Sequence, residues 1–254
     1  MGQGPNKNPS RNHALDGLRG LLACTVLAHH ALPLGAPGVA AGELSVFGFF
    51  VISGWVLTKS WDGNFAGFLV KRFLRLWPGY ALSLATGYLL SGKRWVWSDL
   101  IWIPPHPMVI NGPAWSLCVE AFAMLAMPLF VRSRSHPLWA AAACAALGLC
   151  GGRGILVGSF ALMFVVGAWL SEFRFESRFL ESEIPQYLGR ISYPLYLFHW
   201  MAITYLSGPM WLRVLISFAT AHLLTLTVER WSILASRRVG ASVRWPGLGW
   251  KAIR

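Results

Sequence analysis

Long apolar stretches alternate along the chain with short polar breaks rich in glycine, proline and basic residues. Eight stretches predict helices that cross a membrane: 15–34, 43–59, 76–91, 114–131, 137–151, 155–171, 187–206 and 210–229. The fifth, PLWAAAACAALGLCG, is too short to span without its flanks, and its alanines and glycines suit close helix packing. Residues 95–113, WVWSDLIWIPPHPMVINGP, are rich in tryptophan and then broken by proline, which predicts an interfacial or re-entrant stretch on the outer side. The expected fold is all-α, a polytopic bundle of about eight spans over residues 1–229. A basic cytoplasmic tail over 230–254 is expected to lie against lipid headgroups.

Composition supports this pattern. The chain has 254 residues, 55% of them hydrophobic and 13% charged, where a soluble domain carries roughly a quarter charged residues. The formal charge is +12, from 22 Lys+Arg against 10 Asp+Glu. These basic residues lie between apolar runs rather than on one surface, which reads as a topology signal and not as nucleic-acid binding. With the N-terminus inside, only Lys93, Arg94, Arg153 and Arg213 fall outside, and the other 18 basic residues fall inside. The expectation is therefore a multi-pass protein of the cell (inner) membrane with both termini cytoplasmic and the lipid bilayer as a partner. The start of the chain shows no clear small-residue cleavage site, so the first span is expected to be retained. Cys24, Cys118, Cys144 and Cys150 sit in apolar runs without CxxC spacing and read as packing residues, with neither a disulfide framework nor a metal site.

Ionisable groups inside such spans are costly and usually face the bundle interior or a water-filled cavity. Four stand out: Arg19, His30, Glu120 and His199. Arg19 and His30 are eleven residues apart; at about 100° per residue they share one helix face, separated by roughly 16 Å along the axis. His29 points about 100° away from that face. Asp16 stands three residues before Arg19 and can pair with it. The topology puts Arg19 near the inner side and sends His30, Glu120 and His199 together into the outer half. Taken singly, a membrane histidine also reads as an interhelical hydrogen-bond partner, and Glu120 as the buried partner of an arginine from another helix. Arg72 and Arg75, spaced i, i+3 at the cytoplasmic start of the third span, can hold phosphates bidentately or simply anchor the span.

Five blocks in order resemble the acyltransferase 3 family of integral-membrane acyltransferases. LDGLRG…HH is similar to the family's opening block, in which a basic residue is followed by ten residues and a histidine, here Arg19 and His30. FGFFVISGW, with Ser53 and Gly54, resembles its FFVLSGF block, and RFLRLWP its RxxR segment with Arg72 and Arg75. NGPAWSLCVEAF carries Trp115, Ser116 and Glu120, and ISYPLYLFHW carries His199. The chain also departs from the pattern. The family usually has about ten spans in a longer chain; its frequent Asp before FF is replaced by Phe47 or displaced, and its second Glu is Ala121.

The resemblance implies an acyl-CoA donor, most simply acetyl-CoA, and O-acylation of a hydroxyl on a glycan or similar acceptor, with no permanently bound cofactor. Coenzyme A phosphates would meet Arg72 and Arg75, with Arg19, on the cytoplasmic side. His30 would act as base, Glu120 would orient it or stabilise its imidazolium, and His199 would serve the acceptor or the proton path. Direct transfer and an acyl-histidine or acyl-serine (Ser53) intermediate stay open, with Ser53 read foremost as a packing residue beside Gly54. Two rival readings are a proton-coupled transporter or exporter and a shortened, non-catalytic relative.

Overall fold

The computed structural model describes residues 12–32, 39–100, 110–133, 136–149 and 153–242, and every regular element among them is helical. Asn12 starts α1 (His13–Ala31) by accepting the Leu15 N–H at 3.0 Å, and Asn64 starts α3 (Phe65–Ser91) by accepting the Gly67 N–H at 3.1 Å. Between them lies α2 (Val39–Ser60). Helix α3 thus begins eleven residues before the apolar stretch predicted at 76–91, so Arg72 and Arg75 lie within the helix proper. The stretch expected at 114–131 is divided at Ala126 into α4 (Trp115–Leu125) and α5 (Met127–Ser133). Then follow α6 (Pro137–Leu149), α7 (Arg153–Leu170) and α8 (Glu183–Tyr205). Helix α9 (Met210–Leu224) runs through a π turn (Thr225–Glu229) into α10 (Arg230–Ser242), so the last helix does not stop at residue 229.

Among the described residues, two helical segments combine the length and hydropathy of a membrane span, Ala41–Ser60 and Met210–Val239. Gly112–Leu125 and Gly158–Leu170 are apolar but shorter. The expectation of eight spans is thus not matched, among the described residues, by eight helices that qualify on those measures. Helices α1, α3 and α8 carry Arg19, Arg72, Arg75, Arg190 and a series of histidines and tyrosines, which lower their hydropathy. Leu89, Leu129, Leu138, Leu149 and Leu223 nevertheless face outward, as lipid-contacting side chains do.

Two helix pairs come close because glycine removes the side chain between them. Helix α1 packs most extensively on α8 and α2 on α7. A Cβ built on Gly20 would collide with the backbone of Gly189, and one on Gly189 with the Asp16 carbonyl. Gly54 and Gly167 do the same at the α2–α7 crossing, against the Phe164 and Val51 carbonyls. Backbone cannot yield as a flexible side-chain tip can, so these crossings require glycine. Three apolar clusters fill the remaining space: Phe50, Phe164 and Met127; Tyr80, Leu84 and Leu197; and Ala23, Leu195 and Ala221.

The tryptophan-rich stretch is partly described. Trp97 is 74% exposed, while Asp99, in a short 3-10 turn (Trp97–Leu100), is buried against α3. Its carboxylate accepts the Tyr88 hydroxyl at 2.8 Å and its carbonyl accepts the Tyr80 hydroxyl. Residues 101–109 of that stretch and 243–254 of the expected tail lie outside the described residues.

Candidate active site

Helices α1 and α8 carry the two histidines side by side. His199 is fully buried, and its Nε2 lies 3.1 Å from the Nδ1 of His30. Two backbone carbonyls decide the tautomers. His199 Nδ1 is 3.0 Å from the Leu195 carbonyl, which can only accept, so this nitrogen carries the proton. In the neutral ring Nε2 is then an acceptor, and it faces a proton on His30 Nδ1. The Val26 carbonyl, 2.9 Å from the same Nδ1, demands that proton as well. His30 is therefore left with its lone pair on Nε2, as a base requires. Trp200 meets the His30 ring edge-on at 5.1 Å, and His29 meets it at 4.8 Å. His199 bonds to His30, the histidine that the helical spacing selected.

Glu120 is elsewhere. It lines a cavity of about 70 Å³ together with Arg19, Arg72, Arg75, Ser53 and Tyr196. The Ser53 hydroxyl donates to its Oε1 at 3.4 Å. The expected convergence of three proton-transfer groups thus becomes a pair plus a carboxylate seated among arginines. Glu120, on α4, shares that cavity with Ser53 of α2 and with Arg72 and Arg75 of α3. Ser53 also differs from its reading as a packing residue; the close contact with α7 is made by Gly54, while Ser53 faces the cavity.

The arginines are held by specific contacts. Arg72 donates from Nη2 to the Ser60 hydroxyl at 2.7 Å and to the Val56 carbonyl at 3.4 Å, and its guanidinium lies over the Phe68 ring at 5.7 Å. Beside it, Lys71 pairs with Asp62 at 3.0 Å. Burial pushes the Asp62 carboxyl up, but the Asn64 N–H and the Lys71 ammonium more than offset this and hold its pKa below the usual value. That loop contact is therefore intact at neutral pH and lost only as pH falls through the lowered pKa. Arg19 and Arg75 line both the small cavity and a vestibule of about 650 Å³ opening beside it.

A family model described as an acyltransferase domain, Acyl_transf_3, matches residues 12–183. The chain belongs to the acyltransferase 3 family. It is similar to "Protein 2 in picA locus" of Rhizobium radiobacter, 39% identical over 92 residues, which are 34% of this chain and 47% of that protein. The chain thus spans about half the length of the curated relative it matches. No solved structure matches. The family is membrane-associated, and the two apolar helical segments suit that setting.

In this acyltransferase-family chain, the residue that links the arginine cavity to the histidines is Tyr196, which the sequence analysis did not single out. Its hydroxyl meets Ser116 Oγ at 2.7 Å and donates to the Pro113 carbonyl at 2.8 Å, and its ring stands 6.2 Å from that of His199. The i, i+3 spacing of Tyr196 and His199 on α8 was the available signal. Asn111 was also passed over. It is fully buried and donates to Ser83 Oγ and to the Leu197 carbonyl, both at 3.1 Å, tying the start of α4 to α3 and α8.

Proposed function

We infer that this protein is an integral-membrane O-acyltransferase that moves a short acyl group, most simply acetyl, from cytoplasmic acyl-CoA to a hydroxyl of a glycan or similar extracytoplasmic acceptor. The observation that carries this is the His30–His199 pair at one end of α1 and α8, with arginine-lined space at the other end of the same helices. The phosphates of the donor meet Arg19, Arg72 and Arg75, and its thiol arm covers the roughly 16 Å between Arg19 and His30. The small cavity beside Tyr196 has room for a few waters or a short acyl chain.

His30 Nε2 takes the proton of the acceptor hydroxyl as its oxygen attacks the thioester carbonyl. The C–O bond forms and the C–S bond breaks; the imidazolium returns its proton to the departing thiolate, giving free coenzyme A. His199 Nε2 accepts the Nδ1 proton of His30, fixing the ring and spreading the positive charge. Glu120 balances the arginines and positions Ser53.

A topology of eight spans with both termini cytoplasmic accompanies this reading. The 18 basic residues assigned inside and the meeting of the inner ends of α1, α2, α8 and α10 around one vestibule support it. The direct test is purified protein with labelled acetyl-CoA and glycan extracts. His30→Ala is expected to abolish labelling while the protein still inserts and folds; undiminished labelling would remove His30 from the chemistry. Flux of solute across proteoliposomes without acyl-CoA would favour a transporter instead.

A further inference from the structure

The family match ends at residue 183, yet the vestibule is not complete there. Its opposite wall is α10, whose Arg230, Ile233, Leu234 and Arg237 line it at i, i+3, i+4 and i+7, a single helical stripe. Across from this stripe stand Lys59 at the end of α2 and Arg190 on α8, whose guanidinium lies 6.0 Å over the Tyr187 ring. With Arg19 and Arg75, six cations line the space against the two acids Asp16 and Glu229. Its volume of about 650 Å³ falls within the roughly 300–1,000 Å³ of small-molecule sites. The cavity of about 70 Å³ beside it cannot take a nucleotide.

We propose that this vestibule is a phosphate-binding subsite for the nucleotide end of the donor, with Arg230 and Arg237 of α10 as phosphate ligands alongside Lys59 and Arg190. The proposal rests on the acyl-CoA reading above and adds a division of labour to it. Arg72 in the small cavity and Arg75, which lines both spaces, meet the diphosphate of the donor, and α10 reads the phosphorylated nucleoside. Ile233 and Leu234, between the two arginines on the same stripe, offer apolar surface to the base. Arginine suits this task because its fork meets two phosphate oxygens at once. The same chemistry would also hold the phosphate of an anionic lipid headgroup, so the test separates the two sources.

The experiment measures binding of coenzyme A, 3′-dephospho-coenzyme A and pantetheine to the full chain in nanodiscs of zwitterionic lipid, with turnover of acetyl-CoA and acetyl-pantetheine in parallel. The variants are Arg230→Gln, Arg237→Gln and, as control, Arg238→Gln, which is exposed on the same helix but does not line the vestibule. Arg230 and Arg237 are themselves exposed, so the substitutions leave the core intact. Each is expected to weaken coenzyme A about tenfold, the worth of one charge-assisted contact. Pantetheine binding and acetyl-pantetheine turnover are expected to stay at the wild-type level, as is Arg238→Gln with every ligand. Unchanged coenzyme A affinity in both vestibule variants overturns the proposal. So does a loss seen only when nanodiscs contain phosphatidylglycerol, which makes the cluster a lipid site. If the wild type itself neither binds coenzyme A nor turns over acetyl-CoA, the acyl-CoA reading fails first, and the subsite with it.

Discussion

At the residue scale, the informative detail is which atom of His30 carries the lone pair. The Val26 and Leu195 carbonyls fix both tautomers, and in the proposed reaction His199 acts through His30 as a positioning residue. His199→Gln keeps an acceptor that can face Nδ1–H, whereas His199→Ala does not. The glutamine variant is expected to retain about tenfold more initial rate than alanine, within the roughly 10²–10⁴ that base catalysis contributes. Equal rates in the two would deny the Nδ1 contact any role. A KM-against-kcat comparison separates the arginines. Arg75→Ala, which opens both the small cavity and the vestibule, is expected chiefly to raise the KM for acetyl-CoA. Arg72→Ala does the same but also lowers thermal stability, because it releases Ser60 and Val56 at the end of α2. No such pair of effects is expected from Asp62→Asn, whose exposed partnership with Lys71 contributes at most about 1 kcal/mol.

At the scale of elements, the histidine pair depends on a crossing two and a half to three turns away. Gly20 and Gly189 let α1 and α8 touch through their backbones, and the helices carry His30 and His199 from that point into contact. Gly189→Val is expected to push the helices apart, lower the melting temperature and reduce acyl transfer more than 10-fold on the scale of a misplaced base. Gly92→Ala, at the end of α3 where nothing crowds the position, serves as a comparison; it strains a left-handed backbone at φ 64° but leaves the crossing alone. If thermal scans and rates of the two variants coincide, the crossing is not what sets the histidine geometry. The π turn at Thr225–Glu229 acts at the same scale, since it sets the rotation at which the α10 stripe meets the vestibule.

For the whole molecule, the question is orientation in the bilayer. The start of α1, the end of α2, the start of α8 and α10 surround one basic space, and the tryptophan-rich turn with Trp97 lies beyond the far end of α3. Under the proposed topology, a cysteine at Lys93 reacts with a membrane-impermeant maleimide added to intact cells, and one at Lys59 reacts only after permeabilisation. Labelling of Lys59→Cys from outside would reverse the assignment of donor and acceptor sides. Donor and acceptor would otherwise reach the same histidine pair from opposite faces.

The all-helical class, the candidates Arg19, His30, Arg72, Arg75 and His199, and the family were legible in the sequence because they depend on local order. Apolar run length, the i, i+3 and i, i+11 spacings and the five blocks can all be read without knowing which helices meet. The sequence also separated His30 from His29, since helical rotation alone divides them by about 100°. What it did not contain was the partner of each group. Depth alone sent Glu120 toward the histidines, and only the packing of α2, α3 and α4 decided which arginines it would sit beside. Tyr196 looked like one more aromatic residue until Ser116, Pro113 and His199 were brought around it. Basic residues 230–237 read as a surface tail until the helix ran on through the π turn and packed on α3. Depth along a helix follows from counting residues, whereas neighbours across helices follow from packing, and only the tertiary structure decides that.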